Sequence, residues 1–312
     1  MVESPYPAYP AYRGRFAPSP TGPLHFGSLI AATASYLQAR SRQGVWQVRI
    51  DDLDEARCVP GAADDILRTL EQFGFEWDEA PVYQSQRQPA YRQAFQQLKA
   101  LGVIYPCSCS RREIADATSS TAEATVYPGT CRNGIGKPTD QIRQISYRVR
   151  TSDDETCFID EIQGRQRQIL QQQVGDFVLC RADEQFTYQL AVVVDDAWQN
   201  ITEVVRGSDL LASTARQVYL QRLLGIPTPV YRHHPVVTNT QGQKLSKQTH
   251  ARPLSGANPV GALWQVLRFL NQQPPDELRD QPRSRFWQWA IAHWQVSEIP
   301  AKSELFTEIY YN

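Results

Sequence analysis

The sequence predicts an α/β fold built on a parallel sheet, and three observations carry that reading. Strand-like and helix-like patterns alternate along the first part of the chain. Proline- and glycine-rich stretches punctuate them. The 312 residues, 41% hydrophobic and 21% charged, are enough for about two domains of ordinary globular composition.

Taken in order, residues 1–11 repeat Pro, Ala and Tyr and read as a flexible arm. A short strand is expected over 12–17, after which Pro18, Pro20, Gly22 and Pro23 force a loop. Residues 28–40, rich in Ala, Leu and Ile at helical spacing, predict a helix starting at Ser28. A second strand follows over 45–50, then amphipathic helices over 62–73 and 91–101. The first half of the α/β domain thus spans 12–104. Residues 105–175 break the pattern with a cysteine cluster, a Gly/Thr-rich stretch and short β-like runs, and read as an insertion. The second half, 176–230, carries expected strands at 177–180, 190–194 and 201–205. Its helix at 210–224 is stopped by Gly225 and Pro227. Residues 231–312 read as a lysine-bearing loop followed by a helical module rich in Trp and Phe.

Composition excludes several classes of function. No apolar run approaches the roughly 18 to 20 residues of a membrane helix, and the first residues lack the basic and apolar regions of a signal peptide. A cytoplasmic enzyme without a membrane partner is expected. A net charge of −1 rules out holding nucleic acid by overall charge. Residues 203–252 carry seven bases against two acids, and on charge alone this reads as solvated surface. Three of the six cysteines fall between 107 and 131, which points to a metal rather than a disulfide framework.

Two segments carry chemistry. The stretch Arg15-Phe16-Ala17-Pro18-Ser19-Pro20-Thr21-Gly22-Pro23-Leu24-His25-Phe26-Gly27-Ser28 lies between a predicted strand and a predicted helix. Ligands of doubly wound sheets bind there, so His25 stands where a nucleotide phosphate would arrive and Gly27 leaves room for it. Lys244-Leu245-Ser246-Lys247-Gln248 lies in a polar loop. Its two ammonium groups suit charge developing as pyrophosphate leaves.

Together these segments resemble the class I aminoacyl-tRNA synthetases of the glutamyl type, which pair a His-x-Gly-His motif with a Lys-Met-Ser-Lys-Ser motif. Further agreement lies in Arg49-Ile50-Asp51-Asp52-Leu53-Asp54, in the stretch from Tyr188 to Asp196, and in that from Ile201 to Gly207, over roughly residues 12–250. The chain departs from the pattern at Ser28, Leu245 and Gln248. The resemblance implies a Rossmann-type nucleotide-binding domain with an inserted zinc-containing subdomain and a small helical C-terminal module. It implies that Arg15 and Arg206 hold the side-chain carboxylate of L-glutamate, with Tyr188 adding a hydroxyl and Asp51 accepting from the α-ammonium group. Phe16, Ala17, Pro18 and Ser19 would line the amino acid. His25 and Lys247 would be catalytic at the α-phosphate of ATP, which is brought with Mg2+. Gly27, Ser28, Lys244 and Ser246 would complete the ATP site.

Cys107, Cys109 and Cys131 supply three thiolates, and zinc takes four ligands. The residues alone leave the fourth open among Tyr127, Cys157, Cys180 and water. In glutamylating relatives without an anticodon domain a tyrosine fills this place, which implies Tyr127 and a structural zinc.

About 60 residues follow His250, room for a small module rather than a large anticodon-reading domain. This truncated architecture resembles the glutamyl-type enzymes that activate glutamate without tRNA and move it onto queuosine in the anticodon of tRNA(Asp). A minimal synthetase charging a tRNA 3′ end and a non-catalytic tRNA-binding paralogue are the alternatives. A monomer is expected.

Overall fold

The computed structural model describes residues 11–117, 126–142, 144–239, 253–254, 256 and 258–307. The expected arm at 1–11 therefore lies, except for its last residue, outside the described residues, as do Lys244, Ser246 and Lys247.

The first half runs β1 (Arg13–Phe16), α1 (Phe26–Ser41), β2 (Val45–Ile50), α2 (Ala62–Phe73), β3 (Val82–Tyr83) and α3 (Gln88–Ala100). The three strands form a parallel sheet in the order β1-β2-β3. Helix α2 matches its sequence pattern because Ile66, Leu70 and Phe73 turn one face to the core while Asp64 and Asp65 occupy the first turn. Gly74 ends it at φ 81°, a left-handed cap that glycine adopts at little cost.

The middle of the chain runs β4 (Ile104–Cys107), α4 (Arg111–Ala117), β5 (Ser146–Val149), β6 (Glu155–Asp160), β7 (Gly164–Ile169), α5 (Leu170–Gln173) and β8 (Val178–Cys180). The segment expected as an insertion at 105–175 divides in the structure. Strands β4, β5 and β8 form a small antiparallel sheet. The β6–β7 hairpin instead joins a sheet of order β7-β6-β10-β9.

The remaining elements are α6 (Tyr188–Trp198), β9 (Glu203–Gly207), α7 (Leu211–Leu224), β10 (Val230–His234), β11 (Val236–Thr238), α8 (Pro259–Phe269), α9 (Arg283–Ala292) and β12 (Glu304–Phe306). Strand β9 is parallel to β10 and follows Thr202, whose N–H donates to Arg13 O over 2.9 Å at the start of β1. The β1 and β9 sheets are therefore neighbours, and their strand ends face one way.

Three expectations need correction. The apolar run 190–194 is not a strand but the middle of α6. Such a run fits a buried helix as well as a strand, and here α6 is packed against α3 and α7, which overrides its β-branched valines. Helix α1 starts at Phe26, two residues before Ser28, with His25 at its N-cap position. The basic segment 203–252 is not a uniformly solvated face: Arg206 and Arg232 are buried, the latter against Glu203 at 2.9 Å.

The aromatic tail belongs to the main core. Trp287 meets Tyr36 and Phe75 edge-on at 4.9 and 5.0 Å, and Tyr36 in turn meets Trp46 at 5.1 Å. Three buried indoles find partners: Trp46 donates to Ser35 Oγ, Trp287 to Phe73 O and Trp294 to Gln38 Oε1. Helices α8 and α9 thus brace the back of α1, the helix that opens at the site.

Candidate active site

Two parallel strand pairs from neighbouring sheets, β1–β2 and β9–β10, deliver the side chains of the site. Arg15 and Phe16 end β1, Asp51 follows β2, Arg206 is the penultimate residue of β9, and His233 pairs with Arg206 across β10. Carboxyl ends of parallel strands are where a doubly wound sheet leaves a crevice. A cavity of about 560 Å³ opens there, lined by Arg15, Phe16, Ala17, Pro18, Ser19, His25, Gly27, Ser28, Tyr188 and Arg206. A second of about 370 Å³ shares the Ala17, Ser19 and Tyr188 wall and adds Asp51. The described residues expected at the amino-acid and nucleotide sites are therefore brought together.

One end of the site is a buried charge network. Asp196, from α6, accepts from Arg15 Nε at 3.1 Å, Arg15 Nη2 at 3.3 Å and Arg49 Nη1 at 2.6 Å. Burial would push its carboxyl up, but the two guanidinium charges bring it below the ordinary value. Arg49 also donates from Nε to Asp51 Oδ1 at 2.8 Å. Burial pushes the Asp51 carboxyl up to about 6 against that pull, with the charge of Asp195 adding to the rise. Among the described residues Arg15 Nη1 has no hydrogen-bond partner, and Arg206 keeps one Nη1–H beyond its protein bonds. Those donors and the Tyr188 hydroxyl suit a carboxylate, and the Asp51 carboxylate suits an ammonium.

The other end suits phosphate. Loop 17–24 leads into the 16-residue α1, whose first turn holds no acid. The positive end of its helix dipole favours an anion beside His25. Val236 and Val237 line the same cavity, and Leu254 N–H donates to Leu24 O over 3.0 Å. The described residues that flank 240–252 thus both stand at this wall.

The cysteine cluster forms as expected. The sulfur atoms of Cys107, Cys109 and Cys131 all lie within 4.8 Å of one another and could hold a metal ion. The Tyr127 hydroxyl lies 3.3 Å from Cys107 Sγ and 3.9 Å from Cys109 Sγ, and accepts from Cys131 N–H at 2.9 Å. Arg148 stacks on the Tyr127 ring at 3.8 Å and donates to Cys107 Sγ at 3.3 Å, which offsets thiolate charge. Gly175, at φ 73°, lets the backbone approach closely, because a Cβ there would overlap the Tyr127 backbone. Cys157 and Cys180 lie outside this group.

The fold and site match a known family. The model of the catalytic domain of class I tRNA synthetases (E and Q) matches residues 11–256. The glutamyl-Q tRNA(Asp) synthetase of Aromatoleum aromaticum is 54% identical over 293 residues, covering 94% of this chain and 92% of that protein. The chain belongs to the glutamyl-Q tRNA(Asp) synthetase family. A relative of the same name from Dechloromonas aromatica is also 54% identical, over 94% of this chain and 97% of its own. Among solved structures, a glutamate-tRNA synthetase from Elizabethkingia anophelis superposes with a TM-score of 0.79 at 25% identity, over 96% of this chain and 68% of that one.

Within this glutamyl-Q tRNA(Asp) synthetase family fold, sequence reasoning missed the residues behind the site. Arg49 and Asp196 sit in segments that matched the family, yet no role was read for them. His233, Thr214 and Gln217 bond to Arg206 and gave no sequence signal, because only strand register and helix packing bring them to it.

Proposed function

We propose that this chain activates L-glutamate with ATP, without tRNA, and transfers the glutamyl group to queuosine in the anticodon of tRNA(Asp). The observation that carries the reading is one continuous site with carboxylate-binding groups at one end and His25 beside a helix N-terminus at the other. The names of the relatives at 54% identity support the acceptor.

Arg206, Tyr188 and Arg15 take the side-chain carboxylate, and Asp51 takes the α-ammonium group. Phe16, Ala17, Pro18 and Ser19 form the wall between them. The α-carboxylate then points toward the nucleotide. Its oxygen attacks the α-phosphorus of ATP, brought as the Mg2+ complex, and the bond to pyrophosphate breaks. His25 and Lys247 stabilise the charge on the α-phosphate oxygens, with Gly27, Ser28, Lys244 and Ser246 around the nucleotide. Catalysis is positioning and charge stabilisation. In the second step a ring hydroxyl of queuosine attacks the glutamyl carbonyl, loses its proton, and AMP leaves.

Cys107, Cys109, Cys131 and Tyr127 fit a tetrahedral zinc, given their converging sulfurs and the hydroxyl beside them. Zinc there would tie strand β4 to the residues after the chain returns at 126–131, a structural task.

Glutamate-dependent exchange of labelled pyrophosphate into ATP, with no tRNA present, tests the first step. Exchange with glutamate but not glutamine or aspartate is expected. Its absence until tRNA is added would refute activation without tRNA.

A further inference from the structure

Arg206 commits four of its five N–H groups to the protein. Nη2 donates to Thr214 Oγ1 at 2.9 Å and Gln217 Oε1 at 2.7 Å, Nη1 to Tyr188 Oη at 3.3 Å, and Nε to His233 Nε2 at 2.9 Å. The last bond constrains chemistry. His233 can accept at Nε2 only as a neutral ring with its proton on Nδ1.

The structure shows what puts the proton there. His233 Nδ1 lies 2.5 Å from Asp160 Oδ2, and both side chains are fully buried. The other oxygen of Asp160 accepts from the backbone N–H groups of Ile162, Gln163 and His233 at 3.0, 2.8 and 3.2 Å. That oxygen is held as an acceptor, and the carboxylate cannot rotate away. Burial, with the nearby Arg206 charge, brings the His233 ring down to about 4 despite its bond to Asp160, so it is neutral at neutral pH. Asp160 is the last residue of β6 and lies beside Tyr231 of β10, so the β6–β7 hairpin delivers it.

We propose that Asp160 and His233 are positioning residues for glutamate recognition: Asp160 fixes the Nδ1–H tautomer of His233, whose Nε2 lone pair aims the Arg206 guanidinium at the substrate carboxylate. The proposal rests on the reading of Arg206 as a carboxylate-binding residue. Neither residue lines either of the two cavities.

Asp160→Asn tests it. The three backbone donors would hold the amide oxygen, which turns the NH2 toward His233 Nδ1. The ring must then carry its proton on Nε2, opposite Arg206 Nε–H, and two donors face each other. KM for glutamate in pyrophosphate exchange should rise about tenfold or more, with KM for ATP nearly unchanged. His233→Gln places an amide oxygen near the Nε2 position without needing Asp160. It should keep KM for glutamate close to wild type, alone or combined with Asp160→Asn, whereas His233→Leu should not. A merely structural role would lower Tm in all three His233 and Asp160 variants without this selective split. Nitrogen-15 NMR of the imidazole reads the tautomer with no substrate present: Nδ1–H in the wild type, Nε2–H in Asp160→Asn. Unchanged KM for glutamate in Asp160→Asn, or an Nε2–H ring in the wild type, would overturn the proposal. The expected tautomers in the wild type and in Asp160→Asn, with no glutamate-dependent exchange by the wild type, would refute the glutamate reading and keep the Asp160–His233–Arg206 arrangement.

Discussion

Asp196 grips Arg15 through two hydrogen bonds, Nε to Oδ1 at 3.1 Å and Nη2 to Oδ2 at 3.3 Å, with both side chains buried. The same carboxylate takes Arg49 at 2.6 Å. One anion on α6 therefore orients a cavity-lining arginine on β1 and neutralises a second on β2. Asp196→Ala leaves two buried guanidinium groups without their shared partner. We expect a loss of about 3 to 5 kcal/mol in urea unfolding, alongside weaker glutamate binding. A loss below about 1 kcal/mol would mean the network is locally solvated.

Asp51 gives the site a pH dependence of defined sign. Its carboxyl is pushed up to about 6, so the ionised form, which the proposed function assigns to the substrate ammonium, is lost as pH falls through that value. KM for glutamate should climb on acidification below about pH 6, approaching tenfold per pH unit. Stability runs the other way. Folding favours the protonated form, so this group's contribution is fully present below its ordinary value of 3.8 and lost as pH rises through about 6. Asp51→Asn should flatten the glutamate profile, and an unaltered profile would move the ammonium contact elsewhere.

The phosphate end separates from the amino-acid end by mutation. His25→Ala and Lys247→Ala should each cut adenylate formation about a hundredfold or more while leaving glutamate affinity largely intact. Rapid-quench measurement of glutamyl-adenylate distinguishes the two effects. Full activation rates in both variants would contradict the assigned roles.

The cysteine cluster predicts a metal content. Wild-type protein purified without chelator should carry about one zinc per chain, and Cys131→Ser should lose most of it together with thermal stability. Elemental analysis and a melting curve read both. Equal metal content in the variant would place the ion elsewhere.

Much of this molecule is legible in one sequence, for identifiable reasons. Helix α2 matches its expected range because its apolar face and its left-handed Gly74 cap are local signals. The cysteine cluster is legible because its ligands are close in sequence and chemically distinctive. Helix α6 was misread because a short apolar run has no decisive period when every side of it is buried. The support of Arg206 was invisible for a different reason. His233 and Asp160 are 27 and 73 residues from their partners, and only the β6-β10-β9 register makes them neighbours.

The acceptor separates this enzyme from a synthetase that charges a tRNA 3′ end. Labelled glutamate, ATP and Mg2+ would be offered to the enzyme with tRNA(Asp) carrying queuosine, with tRNA(Asp) lacking it, and with tRNA(Glu). Label is expected on queuosine-containing tRNA(Asp) alone, persisting when the 3′ end is blocked. Label on the 3′ end of tRNA(Glu) would contradict it and make this chain a minimal synthetase.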